Sequence, residues 1–159
     1  MRTVSKLHIF YFTIICLLFL ILSCEKTVQH PVPEVPVNFS INIQTDPEFF
    51  DLQAPGNSVV VTNYTLGLSY LGYDNNGLII YNAGGYEFYV FDRTCPHDIP
   101  ESIIVESDGT SGMATCPECV SIFVFASGGS PTVDSPSEFP LKQYHSYYNP
   151  NTYELFVYN

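Results

Sequence analysis

Basic residues are scarce in this chain: 5 lysines and arginines stand against 16 aspartates and glutamates, leaving a net charge of −11. Such a surface repels phosphate backbones, which excludes nucleic acid as a partner. Long acidic runs of the disordered-tail type are also missing, and the 12 tyrosines and 12 phenylalanines argue for a packed domain. No stretch carries a sustained helical period. There is no G-x-S-x-G elbow, no H-E-x-x-H helix and no glycine-rich phosphate loop, so no enzyme is expected.

The N-terminus has the layout of an export signal. Arg2 and Lys6 precede an apolar run over 9–22 that ends at Ser23-Cys24 with no basic stop-transfer cluster. About twenty apolar residues are needed to cross a membrane, so this run is short for a span and suits cleavage. Ile21-Leu22-Ser23-Cys24 resembles the lipobox of bacterial lipoproteins, and that resemblance implies a signal peptide over 1–23 and acylation of Cys24. Lipid at Cys24 would anchor the exported chain to a membrane of the cell envelope. Residues 24–37 contain three closely spaced prolines and read as an extended tether. One domain, 38–159, is left, long enough to bury a core.

Within that domain, short runs rich in aromatic and β-branched residues fall at 59–63, 65–71, 78–81, 86–91, 120–125 and 153–158. Turn formers separate them, such as Asp74-Asn-Asn-Gly77, Asn82-Ala-Gly-Gly85 and Asn149-Pro-Asn151. The expected fold is all-β, a small antiparallel sandwich or barrel. The run 86–91 is aromatic on both alternating faces, as in a central strand buried on both sides. His145 falls in a further strand over 144–148, where a surface or core-edge role, and not ligation, is expected.

The cysteines carry the chemistry. Cys16 lies in the signal and Cys24 takes lipid, leaving Cys95, Cys116 and Cys119, an odd number for an oxidising compartment. With His97 they make two short chelating pairs, Cys95-Pro96-His97 and Cys116-Pro117-Glu118-Cys119. One follows a strand and the other precedes one, so two loops at neighbouring strand ends can close around a metal.

Phe91-Asp-Arg-Thr-Cys-Pro-His97 and Cys116-Pro-Glu-Cys-Val-Ser-Ile-Phe123 resemble the two cluster-binding boxes of Rieske proteins, C-x-H and C-x-x-H. The likeness covers roughly 67–159. It implies a Rieske-like domain with a two-loop metal-binding tip and a [2Fe–2S] cofactor on Cys95, His97, Cys116 and Cys119. Ser121 falls at the family's serine that hydrogen-bonds cluster sulfur, and Ser135-Pro-Ser137 lies near its shielding proline loop. Cys119 departs from the family, which has histidine there; a thiolate in place of a neutral imidazole lowers the potential. The function implied is membrane-anchored electron transfer or redox sensing with a separate redox partner protein. Zinc on the same four residues is the alternative, in a non-redox binding or structural lipoprotein. With no metal, Cys116 and Cys119 could form a disulfide and leave Cys95 free.

Overall fold

The computed structural model describes residues 29–159, so the signal peptide over 1–23 and the lipid attachment at Cys24 lie outside the described residues. Among those residues, no helix is long and apolar enough to cross a membrane.

The fold is all-β and antiparallel. The nine strands among the described residues are β1 (Asn38–Asn42), β2 (Ser58–Val61), β3 (Leu78–Gly84), β4 (Glu87–Asp92), β5 (Met113–Thr115), β6 (Ile122–Val124), β7 (Ser130–Pro131), β8 (Gln143–Asn149) and β9 (Glu154–Tyr158). Six of them form a sheet in the order β1-β9-β8-β4-β3-β2, and β5-β6-β7 form a second, small one.

The hairpin β3–β4 is the spine, with Leu78 opposite Asp92 and Ile80 opposite Val90. Strand alternation sends its side chains into two separate cores. Leu78, Ile80, Phe88 and Val90 pack with Leu52, Val61, Leu71, Leu155 and Val157 on one face. Ile79, Tyr81 and Phe91 pack on the other with Val105, Phe123, Phe125 and Leu141, and with the cysteines Cys95 and Cys116. From Phe88 onward β4 is thus covered on both sides, as its double aromatic alternation predicts, whereas Tyr86 lies outside the strand and, like Glu87, is exposed.

Two expectations differ from what is formed. No strand runs over 65–71; a single helical turn, α1 (Asn63–Leu66), stands there. Thr62 and Thr65 cap it reciprocally, and Gly67 closes it in the left-handed conformation at φ 64°. These local bonds outweigh the β preference of the sequence. The second difference is the tether, whose residues from 29 onward are not a free spacer. Val32 and Val37 are buried, and the His30 ring lies 2.9 Å from the Pro140 carbonyl. Glu34 pairs with Lys142 at 3.6 Å. Two valines per short segment give it an apolar face to seat, which the spacing of the prolines does not reveal.

Candidate metal centre

The tip is built from two loops at one end of the spine. The first leaves β4 at Asp92, a fully buried carboxylate that acts as its brace. Asp92 accepts hydrogen bonds from the Tyr73 N–H (2.7 Å), the Thr94 N–H (2.9 Å) and the Tyr144 hydroxyl (3.0 Å). A buried carboxylate with three donors is satisfied and rigid, so the chain leaves the sheet in one direction. It then doubles back: the Cys95 N–H donates to Ile103 O at 2.8 Å and the Val105 N–H to Arg93 O at 2.7 Å. Asn76 pins this return from the side through Thr94 and Ser102, each at 2.9 Å.

Burial raises the Tyr144 phenol above the ordinary tyrosine range, and the Asp92 charge adds to it. The folded protein holds this proton more tightly than the unfolded chain does. The resulting stability is complete below the ordinary tyrosine pKa of about 10 and is lost as pH rises past it. Tyr144→Phe is expected to cost about 1–3 kcal/mol at pH 7, because Asp92 loses a donor, and to flatten the alkaline fall. Urea unfolding at pH 7 and pH 10.5 reads both; an unchanged alkaline slope would contradict this role.

The second loop lies between β5 and β6. The Cys116 N–H donates to Ser121 O (2.9 Å) and the Val120 N–H to Cys116 O (3.1 Å), closing a tight knuckle. Val120 sits at φ 57°, a left-handed conformation that a β-branched residue rarely adopts. Strand β6 accordingly begins at Ile122 rather than at 120. Ser121 is buried; its hydroxyl accepts from the Ser137 N–H at 2.9 Å and lies 3.2 Å from Cys119 Sγ. One serine therefore ties the knuckle to the 135–137 segment and touches a site sulfur.

The two loops bring three thiols and one carboxylate together. Ligand atoms of Cys95, Asp98, Cys116 and Cys119 all lie within 4.8 Å of one another. Cys95 Sγ and Cys119 Sγ are 3.6 Å apart, and Asp98 Oδ2 is 3.5 Å from Cys95 Sγ and 3.4 Å from Cys116 Sγ. Cys95 and Cys116 are buried, while Cys119 and Asp98 are half-buried. All three cysteines are free thiols. His97 is exposed and is not in this group; Asp98, the next residue, is. The sequence signal for Asp98 was available: a carboxylate three residues after Cys95 is an ordinary metal donor.

Burial pushes the Cys95 and Cys116 thiols up. Burial also acts to raise Asp98, but hydrogen bonds from Cys119, Cys116 and Cys95 outweigh it and hold the carboxyl below its usual range. The site thus keeps a carboxylate beside the Cys95 and Cys116 thiols, whose burial favours the protonated form, a donor set suited to exchanging those protons for a cation.

The two-iron cluster that the Rieske likeness implies can be tested against this spacing. With metal–sulfur bonds of about 2.3 Å, two tetrahedra sharing a sulfide edge hold ligands of different irons about 5 Å or more apart. Cys119 takes the place of a ligand to the second iron, yet it lies 3.6 Å from Cys95. As placed, the donors do not fit a two-iron cluster.

No protein-family model and no curated protein matches the chain. Among solved structures it is similar to a chain assigned as the small subunit of an NADH-dependent nitrite reductase from Mycobacterium tuberculosis. That pair is 17% identical, with a TM-score of 0.42, over 79% of this chain and 97% of the other. It is also similar to the ferredoxin of carbazole 1,9a-dioxygenase from Nocardioides aromaticivorans IC177, at 18% identity and a TM-score of 0.42, over 79% of this chain and 98% of that one.

Proposed function

We propose that the chain is a membrane-anchored redox module in which Cys95, Cys116 and Cys119 hold iron at the tip of an all-β domain. One observation carries this reading: three unpaired thiols from two separate loops converge within 4.8 Å instead of forming a disulfide. Bound iron would supply one-electron chemistry between its ferric and ferrous states. The protein's part is to fix the ligands and limit water. Asp92 and Asn76 hold the first loop, and Ser121 holds the second. The buried sulfurs of Cys95 and Cys116 keep solvent from the inner side.

Electrons would enter and leave at the outer side, where Cys119 is half-buried and Pro117, Glu118 and Val120 are exposed. That edge is where a redox partner protein would dock. Anchoring is through lipid on Cys24 at the cell envelope. A second reading has support from the same geometry. Four donors closing on one point make the enclosed type of site that zinc occupies structurally, and zinc there would only staple the two loops.

The test is metal content and visible absorbance of the full chain purified from membranes without oxygen. Iron with a colour that bleaches on reduction and returns on oxidation is expected. Zinc alone in a colourless, folded protein would overturn the redox reading and leave the staple. For the anchor, Cys24→Ser should move the protein from the membrane fraction to the soluble one; unchanged fractionation would remove lipid at Cys24 from the account.

A further inference from the structure

We infer that Asp98, and not His97, is the fourth ligand, and that the centre holds a single tetrahedral metal ion. This rests on the metal-centre reading above and specifies its ligands and nuclearity.

The argument is one of edge lengths. A tetrahedral ion with bonds of about 2.3 Å to sulfur and about 2.0 Å to oxygen sets its sulfur–sulfur edges at about 3.8 Å and its sulfur–oxygen edges at about 3.5 Å. The corresponding separations here are 3.6 Å for Cys95 to Cys119, 3.5 Å for Cys95 to Asp98 and 3.4 Å for Cys116 to Asp98. Three edges of one small tetrahedron are thus already in place, with one carboxylate oxygen shared between two of them.

The backbone explains why Asp98 and not its neighbour points inward. After Cys95 the chain reverses over 98–103, where the Ser102 N–H donates to Ile99 O at 3.0 Å and Ser102 adopts φ 52°. The reversal, together with the Cys95 N–H bond to Ile103 O, turns the Asp98 carboxylate to the sulfurs and leaves His97 on the solvent side. A C-x-H pair is therefore present in the sequence, while the folded loop uses a C-x-x-D pair. The electrostatic consequence follows directly. A carboxylate in place of a neutral imidazole adds one negative charge beside the ion, which favours the more oxidised state.

The test uses the full chain and two readouts. The first is stoichiometry after oxygen-free purification, where about one metal per chain and no acid-labile sulfide are expected. The second is titration of the metal-free protein with Co²⁺, followed by its sulfur-to-cobalt absorption. Asp98→Asn should weaken Co²⁺ binding by about tenfold or more, and His97→Ala should change it less than about twofold. Because Asp98→Asn could also disturb the loop, Asp98→His is the control: its Nδ1 has the same reach as the carboxylate oxygen, and it should restore binding. Two irons with two sulfides per chain would overturn the single-ion assignment while leaving the metal-centre reading intact. Loss of binding in His97→Ala with Asp98→Asn unaffected would overturn the ligand assignment. Failure of the unsubstituted protein to bind Co²⁺ at all would remove both the metal-centre reading and this inference.

Discussion

Cys116→Ala is expected to empty the metal site, reducing bound metal to less than about a tenth per chain under conditions that load the unsubstituted protein. Cys116 is buried, and its backbone N–H closes the knuckle with Ser121, so its sulfur is held on the enclosed inner side of the site. Its sulfur also supplies one of the two short contacts to Asp98. The stability loss should equal that caused by removing the metal. Apparent binding energies of about 10–16 kcal/mol are found for structural zinc in small domains, and here only the part that holds the two loops together is at stake. The melting temperature of Cys116→Ala should accordingly match that of the chelator-treated unsubstituted protein. Chelator should then lower the variant no further. A variant that keeps its metal would take Cys116 out of the ligand set.

The second large effect lies beneath the tip. Phe91→Ala is expected to cost about 3–5 kcal/mol, the range for truncating a buried phenylalanine. Phe91 is fully buried on β4, and its ring stacks on Phe125 with centroids 5.6 Å apart and planes 18° apart. The fit is tight on the far side too, where a Cβ on Gly129 would come within 2.9 Å of the Phe91 ring. The alanine variant would leave a cavity between the sheet and the loops carrying Cys95 and Cys116, which belong to the same core. For a domain of this size the loss corresponds to a fall in melting temperature of about 10 °C or more. Tyr64→Ala, at a ring that is 93% exposed, should change stability by less than about 0.5 kcal/mol. Thermal melts of both variants check the pair. A fall of only a degree or two for Phe91→Ala would mean that this core is not where the tip gets its support.

The sequence makes β3, β4, β6 and β9 readable because each is a run of β-branched and aromatic side chains between strong turn formers. It also makes the convergence of Cys95, Cys116 and Cys119 readable, since each pair stands at a strand end. What it conceals is set by local bonding. Residues 65–71 carry β-prone side chains, but the Thr62–Thr65 capping box and Gly67 claim the first of them for α1. Strand β1 has polar residues at Asn38, Ser40 and Asn42, and it is fixed by pairing with β9 and by Ile41, its one buried side chain in the core. In Cys95-Pro-His-Asp98 two donors stand side by side. Which one faces the sulfurs depends on the reversal at 98–103, and that reversal has no turn signature stronger than a proline at position 100. The proline-rich stretch 29–37 resembles a linker by composition, yet its valines and the His30 ring find matching surface on the domain.

The most direct test of the central claim is X-ray absorption at the metal edge of the full chain purified without oxygen. Three sulfur scatterers at about 2.3 Å with one lighter atom at about 2.0 Å are predicted. A first shell of oxygen and nitrogen alone would contradict the account, because the converging thiols would then not be holding the metal.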